Sequence, residues 1–278
     1  MPRPTRPPFP RRQVGRSLRR LRERAGLTQS EAGEPIRISK SKLSRIEQGH
    51  LPGYNDFLAL LDRYGVLASE YEEYVRMFDQ AKEPGWWPQN PPRDFGYVGA
   101  EASASRVRGF EVGLVPGLLQ TEAYARRVFE DSAIPWTGDQ VTAMTEVRTK
   151  RQRRLCRDPD FRVHLIIDEV ALRPPRCPRA QLERIIERTA LPNLVVQVVP
   201  GAAGLHIGLS GGFTILDFPD PEEPGLVYTC GGFGALHLDR PKEIAEARMQ
   251  FKHLVKIALD EAASIEFLKR LAVAAEPG

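Results

Sequence analysis

The stretch from Thr28 to Gly49 constrains this chain more than any other. Thr28-Gln29-Ser30-Glu31 is followed by Pro35 and then by Ser39-Lys40-Ser41-Lys42-Leu43-Ser44-Arg45-Ile46-Glu47-Gln48-Gly49. It predicts two short helices joined by a tight turn. Thr28 with Glu31 three residues on makes a capping box: the hydroxyl accepts from the Glu31 N–H and the carboxylate reaches back. The remaining first-turn N–H groups suit a phosphate, and Gln29 is placed to add a side-chain phosphate contact. Gly33 reads as a small residue where crossing helices approach closely. Pro35 requires the helix to be short, kinked or in its last turn. Ser39 caps the next helix, Ile38 and Leu43 have staple spacing, and Gly49 is the stop.

At about 100° per residue, Leu43 and Ile46 share one face of that helix. The opposite face carries Ser41, Ser44, Arg45 and Gln48, flanked by Lys40 and Lys42. Donor-rich side chains of this kind read base edges or grip phosphates. Lys40, Ser41 and Arg45 are expected at bases, and Lys42 and Gln29 at phosphates. Ser39 and Ser44 complete the DNA-facing set. An ordinary helical pair with a solvated face would also be polar there. Box, staple and stop glycine arriving together at helix-turn-helix spacing decide for DNA.

Charge points the same way. The net +4 of the 278 residues hides a split: residues 1–50 hold 13 Lys and Arg against 4 Asp and Glu, a net +9, and the remainder is net −5. Basic charge gathered on the motif suits phosphate binding. Upstream, Val14, Leu18 and Leu21 form one apolar stripe of a first helix, with Gly26 as its stop.

Leu27-Thr28-Gln29 together with Ser39-x-Ser41-x-Leu43-Ser44-Arg45-Ile46-Glu47-x-Gly49 resembles the XRE-type (Cro/repressor-like) helix-turn-helix domains. The resemblance implies an all-α five-helix bundle over residues 11–81, with further helices near 54–64 and 69–81. Phe57, Leu60, Leu61 and Tyr64 repeat helically, as do Tyr71, Tyr74, Val75 and Phe78.

Residues 1–10 hold five prolines with Arg3 and Arg6 and read as a disordered tail without the apolar core of a signal peptide. No run of 18 apolar residues exists, so no membrane span is expected. Residues 82–99 read as a turn-rich linker. Its Trp86-Trp87 pair is expected to lid the second domain's core, with a partner-binding anchor as the alternative.

Residues 100–273 predict an α+β (or α/β) domain. Strands are expected at 106–112, 161–167, 194–199, 213–218 and 226–230, and helices at 121–131, 139–157, 179–189, near 244–258 and to about 272. Phe161, Val163, Leu165 and Ile167 alternate onto one face. The blocks from Glu101 to Glu111, Leu114-Val-Pro-Gly-Leu-Leu-Gln-Thr-Glu-Ala-Tyr-Ala125, Arg151-Gln-Arg-Arg-Leu155, Asp168-Glu169-x-Ala171-Leu172-Arg173 and Val198-Val-Pro200 are similar to the uncharacterised C-terminal domain of actinobacterial antitoxin-like XRE regulators. The resemblance implies a DNA-binding regulator often paired with a small cognate protein, and it supplies no catalytic residue.

The residues themselves agree on that last point. The glycine-rich loop 201–212 around His206 lacks both phosphate-loop patterns, and reads as a flexible lid or a partner-contacting loop. Ser210 lacks the strand–turn–helix setting of a nucleophile. Asp168 is expected to cap a helix rather than act as acid or base. The histidines and Cys156, Cys177 and Cys230 show no metal spacing, and the cysteines read as reduced thiols. No catalytic residue, cofactor or metal is therefore expected. Arg148, Lys150, Arg151, Arg153, Arg154 and Arg157 form a basic run, read as a solvated face paired with acids or else as an added contact for DNA or an acidic partner.

The chain is thus expected to be a cytoplasmic, non-enzymatic, sequence-specific regulator binding double-stranded DNA as a homodimer. Its second domain would dimerise or take a small cognate protein or a small-molecule effector. The alternative is an antitoxin-like interaction protein whose DNA binding serves autoregulation.

Overall fold

The computed structural model describes residue 7 and residues 9–82, 95–132, 135–220, 223–231 and 234–275. It divides into two compact units at Ser103/Ala104. The Trp86-Trp87 pair lies outside the described residues.

The first unit is all helical: α1 (Phe9–Arg24), α2 (Gln29–Gly33), α3 (Lys40–Glu47), α4 (Tyr54–Arg63), α5 (Tyr71–Lys82) and α6 (Phe95–Ser103). The five expected helices are present. α1 starts inside the expected tail, with Pro10 in the first turn, where its missing N–H leaves no gap. α6 runs through residues 95–99 of the expected linker. Its two glycines argue against helix, but Val98 and Ala100 are buried and the helix packs on α1. The core gathers Val14 and Leu18 of α1, Ala32 of α2, Leu43 and Ile46 of α3, Phe57, Leu60 and Leu61 of α4 and Phe78 of α5.

The second unit holds β1 (Arg106–Glu111), α7 (Glu122–Glu130), α8 (Gly138–Arg157), β2 (Arg162–Asp168), α9 (Glu169–Leu172), α10 (Arg179–Arg188), β3 (Leu194–Val199), β4 (Phe213–Asp217), β5 (Leu226–Gly231), β6 (Gly234–Leu238), α11 (Pro241–Ile257) and α12 (Glu261–Ala274). Its six-stranded sheet has the order β3-β2-β1-β4-β5-β6. β1, β2 and β3 are parallel, and β4, β5 and β6 continue antiparallel. This is an α+β domain with a mixed sheet.

The parallel half is covered on both faces, as parallel strands demand. Val163, Leu165 and Ile167 fill one side of β2, and Ile166 is equally buried on the other. The alternation in β2 therefore does not mark a solvent face. α11 lays Ile244, Ala247, Phe251 and Leu254 over Phe110, Ile166, Ile215 and Val227. The free side of β3 is closed by Leu259 N–H, which donates to the Val198 carbonyl, and by Ser264 Oγ, which accepts from Val198 N–H at 3.0 Å. β6, at the other end, pairs on one side only among the described residues.

Candidate nucleic-acid interface

The helix pair forms as its caps dictate. Glu31 N–H donates to Thr28 Oγ1 at 3.3 Å, and Thr28 N–H donates to the Glu31 carboxylate at 2.8 Å. α2 ends at Gly33 and a 3-10 turn carries Glu34–Ile36, so Pro35 stands where it breaks nothing. Ser39 Oγ then accepts from Lys42 N–H at 3.3 Å and caps α3. Gly49, at φ +100°, ends it against Arg12.

The close approach at Gly33 is not between helix flanks. A Cβ there would lie 2.1 Å from the Ile38 carbonyl oxygen, on the returning strand of the turn. The crossing-helix approach is made instead by Gly15 of α1, where a Cβ would lie 2.5 Å from the Ile46 oxygen and 2.8 Å from the Glu47 oxygen.

α3 buries Leu43 and Ile46 and turns Lys40, Ser41, Arg45 and Gln48 to solvent, with Ser44 half-buried between them. Ser39 Oγ lies 3.2 Å from Ser41 Oγ, and Gln48 Nε2 donates to Ser44 Oγ at 3.1 Å. The side chains of Lys40 and Arg45 have no partner among the described residues. They stand free on the face with the hydroxyls and the Gln48 amide between them.

Two expected phosphate contacts are placed differently. Lys42 donates to Asp56 Oδ2 at 2.7 Å, because two residues on from Lys40 it points about 200° round the helix, toward α4. Gln29 Nε2 donates to Glu47 Oε2 at 2.9 Å. Each bond helps to hold α3 against its neighbours.

Glu47 is the residue that sequence reasoning missed as structural. Its side chain is 5% exposed and receives Arg22 Nε at 2.6 Å and Arg22 Nη2 at 3.2 Å. Arg22 Nη1 also donates to the Leu27 carbonyl at 2.7 Å. One buried carboxylate thus ties α1, the start of α2 and the end of α3, which fixes the angle at which α3 is offered. The Glu47 bond holds the Arg22 guanidinium charged, raising its already high pKa.

The candidates in the second unit are bonded into the scaffold. Asp168 Oδ1 accepts from Val170 N–H at 2.9 Å, the expected cap. Its other oxygen meets His206 Nε2 at 3.2 Å, and the His206 side chain is 3% exposed. Glu169 accepts from Gly201 N–H at 2.7 Å and pairs with Arg173. Ser210 Oγ donates to the Ile207 carbonyl at 2.7 Å. Loop 201–212 is built of two 3-10 turns, with Gly208 pressed against the Phe110 ring. Cys156, Cys177 and Cys230 are free thiols, and burial pushes Cys177 up to about 12.

The basic run on α8 is not one face. Arg148 lies over the Phe129 ring and bonds Gln120. Arg154 lies over Phe161 and donates to the Ala104 carbonyl at 2.8 Å. Lys150 and Arg153 line a separate groove with Glu122, Arg126 and Glu146.

Glu111, at the end of β1, sits near Arg148 and Arg151, but burial dominates and raises its carboxyl to about 7. The folded unit therefore holds this proton more tightly than the unfolded chain. That contribution is full below the unfolded value near 4.5 and is lost as pH climbs through about 7. The second unit is expected to melt several degrees lower at pH 8 than at pH 5, and Glu111→Gln to flatten that slope. Melting curves across this range check it. A variant that keeps the full slope rejects the assignment.

Fold and exposed face together define a protein of the helix-turn-helix, DNA-binding class, and a model of the helix-turn-helix domain matches residues 13–73. The chain belongs to the family of the domain of unknown function (DUF5753), whose model matches residues 96–270. Neither a curated protein nor a solved structure matches it. No described helix is long and apolar enough to cross a membrane.

Proposed function

We propose that this protein is a sequence-specific transcription regulator of the XRE type, acting as a homodimer. The observation that carries the reading is a contrast on α3. Gln29, Lys42 and Glu47 are all committed to neighbouring helices, while Lys40 and Arg45 are exposed and without side-chain partners among the described residues. A pre-set helix with free donors is what base readout in a major groove requires. Two copies would place α3 in half-sites about one helical turn apart. The second domain dimerises and takes the signal that sets DNA affinity. The open β6 edge suits pairing between copies. Its candidate acids and hydroxyl are engaged in structural bonds, which supports a binding role rather than an enzymatic one.

Arg45→Ala is expected to cost roughly 1–3 kcal/mol on the preferred operator and to relax specificity at one base position. Selection from a random duplex pool, followed by titration of wild type and variant on the selected site, measures both. Equal losses on selected and random DNA would make Arg45 a phosphate contact only. Failure of the wild type to enrich any sequence would sink the regulator reading.

A second reading is favoured by one observation: loop 201–212 presents Leu205, 96% exposed, together with the exposed Ile207 and Leu209. Three apolar side chains on one loop fit a protein partner, as in an antitoxin-like protein that binds a small cognate. Leu205→Ser would then abolish co-purification with a small protein encoded beside it and leave DNA binding unchanged. Co-purification undiminished by that change counts against the loop as the docking point.

A further inference from the structure

We propose that the second unit carries an anion site, built at the starting edge of the parallel strands, that takes a small molecule bearing a diphosphate. This inference does not depend on DNA binding. The site is a cleft of about 540 Å³, lined by Ser105, Arg106, Arg108, Asp160, Arg162, Asp217, Arg248 and Lys252.

The sheet register explains why the charges meet. Arg106 stands beside Arg162 on the parallel side and beside Asp217 on the antiparallel side. Arg106 and Arg108 lie on the same face of β1 as Phe110, by the two-residue period of a strand. That face is apolar under α11 and becomes cationic toward the strand starts. α11 adds Arg248 and Lys252, each one residue along from a buried contact, Ala247 and Phe251.

The charges are unbalanced. The cleft holds five cations and two carboxylates, a net +3. Asp217 is shared by Arg108, at 2.5 Å, and Arg248, at 2.6 Å. It orients two guanidiniums. Arg106, Arg162 and Lys252 have no side-chain partner among the described residues. Like charges on adjacent strands oppose folding, so their gathering calls for a compensating anion. Arg108 Nε is buried and lacks an acceptor among the described residues.

The chemistry selects phosphoryl groups. Arginine presents a planar fork matched to phosphate oxygens, and a diphosphate monoester spreads its negative charge over two adjacent phosphoryl groups that several forks can share. The volume falls in the range of small-molecule sites. A nucleic-acid backbone offers the same phosphate oxygens, and competition by duplex DNA separates it from a small diphosphate.

The test is calorimetric titration of the full-length chain with inorganic pyrophosphate at physiological salt. One-to-one binding is expected. Arg106→Ala with Arg162→Ala should weaken it about tenfold or more. Both side chains are exposed, so the melting temperature should hold or rise as their repulsion is removed. Lys252→Gln, also exposed, is the second variant and should weaken binding several-fold. Arg179→Ala with Arg184→Ala removes the same charge from the surface of α10 and should leave binding unchanged. Absence of binding by the wild type, or an equal loss in the α10 variant, overturns the proposal. So does displacement of pyrophosphate by duplex DNA of unrelated sequence that depends on Arg106 and Arg162, which would make the cleft a backbone contact.

Discussion

Glu47→Ala is expected to destabilise the first unit by about 3–5 kcal/mol, the range for removing one partner of a buried ion pair. The reason is what remains. Arg22, with a side chain 10% exposed, loses the carboxylate that both Nε and Nη2 address. Gln29 loses the acceptor of its amide at the same time. A buried guanidinium left with the Leu27 carbonyl and a longer contact of 3.6 Å to the half-exposed Glu23 is poorly compensated. Replacing both partners, Arg22→Met with Glu47→Leu, should recover most of the loss, because apolar groups of similar volume need no partner. Arg22→Lys with Glu47 kept should also lose stability, since an ammonium cannot make the paired contact. An exposed pair sets the scale: breaking Arg19–Glu23, whose side chains are 61% and 50% exposed, should change stability by less than about 1 kcal/mol. Chemical denaturation of each variant decides. A Glu47→Ala loss no larger than that of the surface pair would remove Glu47 from the account as a strut.

Gly33→Ala is expected to have a loss of similar size, about 3 kcal/mol, at the upper end for overpacking. In a helical unit of this size that lowers the melting midpoint by roughly 10–20 °C. Alanine normally stabilises a helix relative to glycine, so the expected sign is opposite to propensity. The added methyl would stand 2.1 Å from the Ile38 oxygen, and Ile38 N–H donates to the Gly33 carbonyl at 2.9 Å. Obstacle and hydrogen bond are both backbone, so relief requires opening the turn that sets α2 against α3. Gly53→Ala, whose Cβ would approach nothing closer than Asp56 at 3.9 Å, should stay within about 1 kcal/mol. Melting curves of the two variants test this. Equal, small shifts would show that the turn has slack.

The same residues show what a sequence can carry. The helix pair was legible because its signals are local: Thr28 with Glu31, Ser39 with Lys42 and Gly49 each act within one turn. The solvent-facing side of α3 followed from helical period alone. The strut did not, because Arg22, Gln29 and Glu47 meet only after three helices have packed. Nor did the pull of Asp56 on Lys42, or the backbone crossing at Gly15. In the second unit, alternating or apolar runs marked β2, β3 and β4, whose residues are mostly buried. β6 escaped because Gly234-Ala235-Leu236-His237-Leu238 is short and has no fully buried residue, leaving little hydrophobic pattern. α6 escaped because burial of Val98 and Ala100 outweighs two glycines. The basic run on α8 looked like one surface in sequence. At a helical period its members separate, and Arg148 and Arg154 fold back over aromatic rings.

Base readout by a helix locked in place by Glu47 is the central claim. Its most direct measurement is a gel shift of the full-length protein on its own upstream region at physiological salt, with unrelated duplex as competitor. Salt is fixed because phosphate contacts alone weaken steeply with it. The expected result is a complex that survives excess competitor in the wild type and is lost to it in Arg45→Ala. A wild-type complex that unrelated DNA removes as readily as it does the variant's would contradict base readout by α3 at that region.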